Sequence, residues 1–182
     1  EIIAGTSAGA IVGGLYAFGK SPNEILDFFK SVYFCNWKHY TLTKPGFINS
    51  DIFRLYLKPI IGEIKIKDLK KELIINATDL IQGETFVFSG DDYLLDAIIA
   101  SCSVPGLASP FKKDELLLSD GGILNNFPTN LIKEKCDKII GIYVCPLQDV
   151  KKNQLNSIKS VATRAYELLS HSVENYKFRD CD

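Results

Sequence analysis

The first ten residues, EIIAGTSAGA, constrain the fold more than any other stretch of this chain. Ile2-Ile3-Ala4 is a short apolar run typical of a buried strand, and a helical pattern follows from Ala10. Between them, Ser7 lies two residues after Gly5 and two before Gly9. A sharp strand-to-helix turn that presents a serine needs very small residues at those two positions. The sequence therefore predicts a strand, a nucleophile elbow and a helix.

Ser7 is accordingly the candidate nucleophile. At the N-terminus of a helix, unpaired N–H groups and the positive end of the helix dipole favour a developing negative charge. The backbone N–H of Ala8, directly after the serine, is the donor expected to face an oxyanion.

Asp120 is the candidate base that takes the proton from Ser7. It follows the apolar run at 115–118 and precedes Gly121 and Gly122, which allow positive φ and close backbone approach. An acid at a strand end lies on the same sheet rim as a strand-end nucleophile if the two strands are neighbours. A carboxylate is a weak base at its reference pKa of about 4, and burial in an apolar pocket raises that pKa.

The two histidines, His39 and His171, leave an alternative open. The order Ser7…Asp120…His171 is the order in which α/β-hydrolases carry the residues of a Ser–His–Asp triad. The sequence pattern alone does not decide between the triad and a Ser–Asp pair.

Strand-like and helix-like segments alternate along the rest of the chain without repeats, which predicts a one-domain α/β layer fold. Ser21-Pro22-Asn23-Glu24 combines a capping box with a proline at the first helical position, so a helix begins there. The other expected elements are helices at 50–59, 93–103, 128–135 and 155–178, and strands at 73–78, 84–89, 115–118 and 138–144.

Composition narrows the classes of partner and compartment. Among 182 residues, 46% are hydrophobic and the net charge is −1, so there is no basic surface of the kind that binds nucleic acid. No apolar run approaches the 18 or so residues of a membrane span. The five cysteines are an odd number without C-x-x-C spacing, which predicts reduced thiols in a cytoplasmic protein. We expect one domain over residues 1–182, truncated at both ends, with an oligomeric state that the sequence does not indicate.

Together, these motifs resemble the patatin-like phospholipases. The resemblance rests on Gly-Thr-Ser-Ala-Gly at 5–9, Asp-Gly-Gly at 120–122 followed by Asn-Asn-Phe-Pro at 125–128, the segment AIIASCSVPGLASPF at 97–111, and the strand pair NATDLIQGETFVFS at 76–89. It implies an α/β fold with a mainly parallel sheet flanked by helices.

The resemblance also implies an activity. A Ser7–Asp120 dyad would hydrolyse the esters of phospholipids, lysophospholipids or related acyl esters through an acyl-enzyme on Ser7, without a metal or a cofactor. Neither histidine would then be required. The residues implied to support the elbow and the oxyanion are Gly5, Ala8, Gly9, Gly121 and Gly122.

One departure from the family's pattern leaves a third hypothesis open. Members carry a glycine-rich loop a few dozen residues before the elbow, whose N–H groups form the oxyanion hole, and this sequence has neither that loop nor the first strand. Loss of one oxyanion donor costs roughly 100- to 1,000-fold in rate. A catalytically silent protein that binds lipid or regulates is therefore the alternative to an enzyme.

An aromatic stretch precedes residue 41 and has two interpretations. Trp and Tyr favour the membrane–water boundary, so the stretch suits a lid or a patch in transient contact with a membrane surface. The competing interpretation is core packing and loop anchoring. The residues are Phe28, Phe29, Tyr33, Phe34, Trp37 and Tyr40, interleaved with Lys30 and Lys38.

Overall fold

The protein is described from a computed structural model that covers residues 1–32, 51–174 and 176–182. The helices are α1 (Ala8–Phe18), α2 (Pro22–Ser31), α3 (Asp51–Ile61), α4 (Leu94–Ser101) and α5 (Ile158–Glu174). The strands are β1 (Ile2–Gly5), β2 (Glu72–Asp79), β3 (Glu84–Phe88), β4 (Phe111–Lys113) and β5 (Leu116–Asp120).

The predicted strand–turn–helix at the start of the chain is confirmed as β1 and α1. Small residues on the buried face of α1 allow close packing. A Cβ on Gly14 would lie 2.9 Å from a methyl group of Ile98, and one on Gly13 would lie 3.1 Å from Ile3. Helix α1 therefore lies directly against α4 and the first strand.

The predicted start of α2 is also confirmed. The Ser21 hydroxyl accepts from the Glu24 backbone N–H, the Glu24 carboxylate accepts from the Ser21 N–H, and Pro22 is the first helical residue. This reciprocal pairing satisfies N–H groups that a helix start leaves without partners.

The sheet confirms the α/β class but is mixed rather than mainly parallel. Among the described strands, only β1 and β2 pair in parallel, whereas β2–β3, β2–β5 and β4–β5 are antiparallel. Short connections explain two of these antiparallel pairs, β2–β3 and β4–β5, because two strands joined by a tight turn can pair only in antiparallel fashion. Gly83 (φ 72°) lies in the β2–β3 turn and Asp114 (φ 50°) lies in the β4–β5 turn.

The core lies between the sheet and helices α1, α3 and α4. Strand β2 is buried from Leu73 to Asp79, and six of the eight residues of α4 are buried apolar side chains, so both are central elements. Among the described residues, the largest fully buried apolar side chains are Leu15, Leu57, Leu73, Ile75, Phe88, Leu94, Leu95, Ile98, Ile99 and Leu118.

Helix α3 does not end at Pro59, as the sequence suggested, but continues to Ile61. Pro59 is exposed, so water can reach the carbonyl group that loses its helical partner, while Leu57 and Ile61 anchor the last turn in the core.

Three predictions in the last third of the chain are wrong in detail. The expected helix at 128–135 is two short 3₁₀ segments, Pro128–Leu131 and Lys133–Lys135. The expected strand at 138–144 is irregular, because the backbone of Ile139 pairs with Asp182 and not with a strand. The final helix is confined to 158–174 and is followed by a 3₁₀ segment at Lys177–Asp180.

Only part of the aromatic stretch falls within the described residues. Phe28 is buried in the core and meets Phe29 edge-on, with 5.5 Å between ring centroids. These two rings therefore support the packing interpretation. Tyr33, Phe34, Trp37, Lys38 and Tyr40 lie outside the described residues, as does His39.

Candidate active site

Ser7 occupies a strained backbone conformation at the junction of β1 and α1. Its φ of 53° and ψ of −120° are unusual for a residue with a side chain, and such conformations cost about 1–3 kcal/mol. A Cβ on Gly5 would collide with the backbone of Gly9, well inside 3.0 Å, so only glycine fits there. A Cβ on Gly9 meets no atom of the described residues within 4 Å. The steric requirement expected at both glycines is thus observed at Gly5.

The first turn of α1 leaves one donor free beside Ser7. The Gly9 N–H donates to the Thr6 carbonyl at 2.8 Å, and the Ala10 N–H donates to the Ser7 carbonyl at 2.9 Å. The N–H of Ala8 has no hydrogen-bond partner among the described residues, and Ala8 itself is exposed. It remains available to an oxygen that approaches Ser7.

Asp120 reaches Ser7 by a different route from the one expected. It is the last residue of β5, which is antiparallel to β2, so β1 and β5 run towards each other. Gly5 pairs with Ile75 and Asp120 pairs with Ala77. The two strand ends therefore meet at neighbouring positions of β2, instead of lying side by side on one rim.

Asn76 lies between these two pairing positions and joins the two ends. Its Oδ1 accepts from the Thr6 hydroxyl at 2.6 Å, and its Nδ2 donates to the carbonyl of Asn125 at 3.0 Å. Asn76 is fully buried, so this pairing also satisfies its polar groups. Sequence reasoning missed Asn76, although a buried asparagine inside an apolar strand was a usable signal.

The Asp120 carboxylate is buried and its oxygens have different surroundings. Oδ1 accepts from the Gly122 N–H at 2.7 Å, whereas Oδ2 is buried without a hydrogen-bond partner among the described residues. Burial raises the pKa of Asp120 above its ordinary value of 3.8. Hydrogen bonding from the Ser7 side chain and the Gly122 N–H opposes this rise in pKa.

The structure thus brings Ser7 and Asp120 together. The Ser7 side chain acts on the pKa of Asp120, yet no group in the described part of the chain makes a hydrogen bond of good geometry to Oδ2. Loose hydrogen bonds between reacting side chains are common before a substrate is bound.

The two glycines after Asp120 lie in close contact with neighbouring residues. A Cβ on Gly121 would collide with the backbone and side chain of Asn76. A Cβ on Gly122 would lie 2.9 Å from both Asp120 Oδ1 and Asn126 Oδ1. A side chain at Gly121 would therefore displace Asn76, and one at Gly122 would crowd the Asp120 carboxylate.

A three-residue segment at the C-terminal end of α4, residues 101–103, contacts both Ser7 and Asp120. The Ser7 N–H donates to the Ser101 hydroxyl oxygen at 2.9 Å, and the Cys102 thiol donates to the Ser7 carbonyl at 3.2 Å. The Ser103 carbonyl accepts from the Asp120 N–H at 2.9 Å.

The loop after Asp120 is held by a buried ion pair near the C-terminus, which sequence reasoning also missed. Glu174 accepts from the backbone N–H groups of Asn126 and Phe127, both at 2.9 Å. Lys177 donates to Glu174 and to the Asn125 side chain.

His171 belongs to α5, and no hydrogen bond joins it to Ser7 or Asp120 in the part of the chain that the structure describes. Its ring lies 6.4 Å from that of Tyr143, and its Nδ1 is buried without a partner among the described residues. Tyr166 also lies on α5. Burial raises the pKa of its phenol, and the negative charge of Asp120 raises that pKa further.

In residues 1–32, 51–174 and 176–182, no cluster of three or more His, Cys, Asp or Glu side chains has the placement of a metal site. None of the described helices combines the length and apolar character that a bilayer crossing requires.

Comparison with known proteins identifies the family. The family model for patatin-like phospholipases matches residues 1–132. An uncharacterised NTE family protein of Mycobacterium tuberculosis is 33% identical over 130 residues, which cover 69% of this chain and 35% of that protein. Lysophospholipase NTE1 of Scheffersomyces stipitis is 32% identical over 148 residues, and its namesake in Candida albicans is 31% identical over 158. These two matches cover 77% and 82% of this chain but only 9% and 11% of the fungal proteins. This chain belongs to the patatin-like phospholipase family.

Proposed function

We propose that this protein is a lipid acyl hydrolase that cleaves carboxylic esters of phospholipids, lysophospholipids or related lipids, with Ser7 as nucleophile and Asp120 as base. The observation that carries the proposal is the meeting of a strained, partly exposed serine with a buried carboxylate at the ends of β1 and β5.

The proposed reaction begins when Asp120 takes the hydroxyl proton of Ser7 and the serine oxygen attacks the ester carbonyl. The tetrahedral oxyanion lies at the N-terminus of α1, where the Ala8 N–H donates to it. As the C–O bond breaks, Asp120 returns the proton to the leaving alcohol, which leaves an acyl group on Ser7. Asp120 then takes a proton from water, the hydroxide attacks the acyl-enzyme, and the fatty acid leaves as the proton returns to Ser7.

The burial of Asp120 supports this role. A carboxylate with a raised pKa holds a proton more readily and is therefore the stronger base. Oδ2 is the oxygen that would accept the Ser7 proton, because Oδ1 already accepts from the Gly122 N–H.

The names of the fungal relatives favour a lysophospholipid as the substrate class. Two of them are lysophospholipases and share about 30% identity with most of this chain. We propose the same class here, without a choice of head group or acyl length.

We also propose transient contact with a lipid surface through α5, which carries Tyr166 beside Asp120. Ile158, Val161 and Leu168 recur at helical spacing and are 92%, 52% and 46% exposed, so they form one apolar stripe. Co-sedimentation with phosphatidylcholine vesicles should fall for Leu168→Glu, and unchanged co-sedimentation would contradict this contact.

The dyad is tested by labelling with a fluorophosphonate probe, which forms a covalent bond only with an activated serine. We expect labelling of the wild-type protein and of His171→Ala, and none of Ser7→Ala or Asp120→Asn. A large loss in His171→Ala would favour the Ser–His–Asp triad. Absence of labelling in a folded wild-type protein would favour a catalytically silent lipid-binding protein.

A further inference from the structure

We infer that Ser101 is a positioning residue that holds the nucleophile in its reactive conformation, within a brace of residues 101–103 that sets Ser7 against Asp120. This inference rests on the proposed function, because Ser101 matters to catalysis only if Ser7 is the nucleophile.

The brace contacts the backbone of both proposed catalytic residues from one short segment. Ser101 accepts from the Ser7 N–H at 2.9 Å, and Cys102 donates to the Ser7 carbonyl at 3.2 Å. One residue further on, the Ser103 carbonyl accepts from the Asp120 N–H at 2.9 Å. A segment that bonds to both partners fixes the distance between them.

The brace is rigid because it is buried and continuous with α4. Ser101 is the last residue of that helix and is fully buried, as is Ser103, while Cys102 is 5% exposed. The Ser103 hydroxyl donates to the Ile99 carbonyl at 2.8 Å, which ties the segment back to the helix. Buried side chains with satisfied polar groups have little freedom to move.

Ser101 is the member of the brace that bears most directly on the strain at Ser7. A residue with positive φ persists in that conformation only when its surroundings over-determine it. The elbow takes the Ser7 N–H out of both the β1 ladder and the α1 helix, so without Ser101 it would have no partner among the described residues. The hydrogen bond to the Ser101 hydroxyl therefore stabilises the backbone conformation that presents the Ser7 side chain to substrate.

The test compares Ser101→Ala with Ser109→Ala. Both remove a buried serine hydroxyl from the same stretch of chain, but the Ser109 hydroxyl has no hydrogen-bond partner among the described residues. Because a misplacement of about 1 Å costs on the order of 100-fold, we expect Ser101→Ala to lower kcat for a soluble p-nitrophenyl ester by roughly 10- to 100-fold with KM unchanged. Ser109→Ala should retain wild-type kcat. Ser101→Cys, which keeps the shape but is a weaker acceptor, should have an intermediate kcat.

A second readout does not depend on turnover. Hydrogen exchange of the Ser7 amide, measured by NMR, should be faster in Ser101→Ala than in Ser109→Ala. The two variants are compared under conditions in which their thermal stabilities are equal. An unchanged kcat in folded Ser101→Ala, or an equal loss in Ser109→Ala, would overturn the inference. If Ser101→Ala fails to fold, wild-type kcat in Ser101→Cys overturns it and an intermediate kcat supports it.

The outcome for Ser7→Ala separates this inference from the proposed function. Wild-type turnover in Ser7→Ala would contradict the proposed function, and with it the catalytic role of Ser101. Lost turnover in Ser7→Ala together with wild-type kcat and amide exchange in Ser101→Ala would contradict the brace alone.

Discussion

At the scale of single residues, the site depends on groups held in costly states. Ser7 is strained, Asp120 is a buried carboxylate with one oxygen unpaired among the described residues, and Gly5 and Gly121 lie where any side chain would collide with backbone. The strain at Ser7 and the burial of the Asp120 carboxylate are each unfavourable by themselves, and hydrogen bonds from the surrounding residues oppose them. Such concentrations of strain and unpaired polar groups are typical of functional sites.

The raised pKa of Asp120 predicts opposite pH dependences for activity and stability. Asp120 must be ionised to accept a proton, so kcat/KM should rise with pH through a single ionisation whose pKa lies above 3.8. Because the folded state binds this proton more tightly than the unfolded state, the free energy of unfolding should fall as pH rises through the same interval. Asp120→Asn should remove that component of the stability profile. A kcat/KM that is flat down to pH 3.8 would contradict the assignment.

At the scale of elements, the segments bounded by local turn and cap signals were predictable from sequence, whereas the pairing of the strands was not. Gly5, the Ser21-Pro22 cap and the turn at Gly83 are local signals, and β1, α1, α2, β2 and β3 follow from them. The apolar run at 138–144 satisfies the same local rules, yet that segment finds no strand partner among the described residues. Pairing depends on what lies beside a strand, and a single sequence does not state this.

The elbow between β1 and α1 makes a sharp prediction for its two glycines. Gly5→Ala should lower the free energy of unfolding by about 1–3 kcal/mol and abolish fluorophosphonate labelling, because its Cβ would displace the Gly9 backbone. Gly9 lies in the first turn of α1 with open space around it, so Gly9→Ala should raise that free energy by about 0.4–1 kcal/mol.

Urea unfolding of the two variants beside the wild-type protein measures both changes. Equal destabilisation by the two substitutions would show that the elbow does not have this asymmetry.

At the scale of the whole molecule, the candidate site joins distant parts of the chain. Ser7 and Asp120 are recognisable from their motifs, since small residues flank each of them. Asn76 and Glu174 are not, because a buried asparagine or glutamate acquires its role only from the backbone groups that it meets. The proposed nucleophile and base could therefore be predicted from sequence, whereas the residues that hold the surrounding backbone could not.

Glu174 makes the prediction at this scale, since it ties the C-terminus to the loop after Asp120. Glu174→Ala leaves the buried Lys177 ammonium without its counter-charge and two backbone N–H groups without their acceptor, so we expect a loss of about 3–5 kcal/mol in the free energy of unfolding. Glu167→Ala, which breaks an exposed pair with Arg164 on the same helix, should cost less than about 1 kcal/mol. Chemical denaturation compares the two, and similar losses would contradict the role given to Glu174.

Because β1 and β5 end at neighbouring positions of β2, that strand sets the distance between Ser7 and Asp120. One inserted residue at position 76 would separate the two strand ends by about 3.3 Å and turn one of them to the opposite face of the sheet. Ser7 and Asp120, the proposed nucleophile and base, would then no longer face each other. Fluorophosphonate labelling of a folded insertion variant would test whether the reactivity of Ser7 depends on the exact number of residues in β2, a strand that contains neither Ser7 nor Asp120.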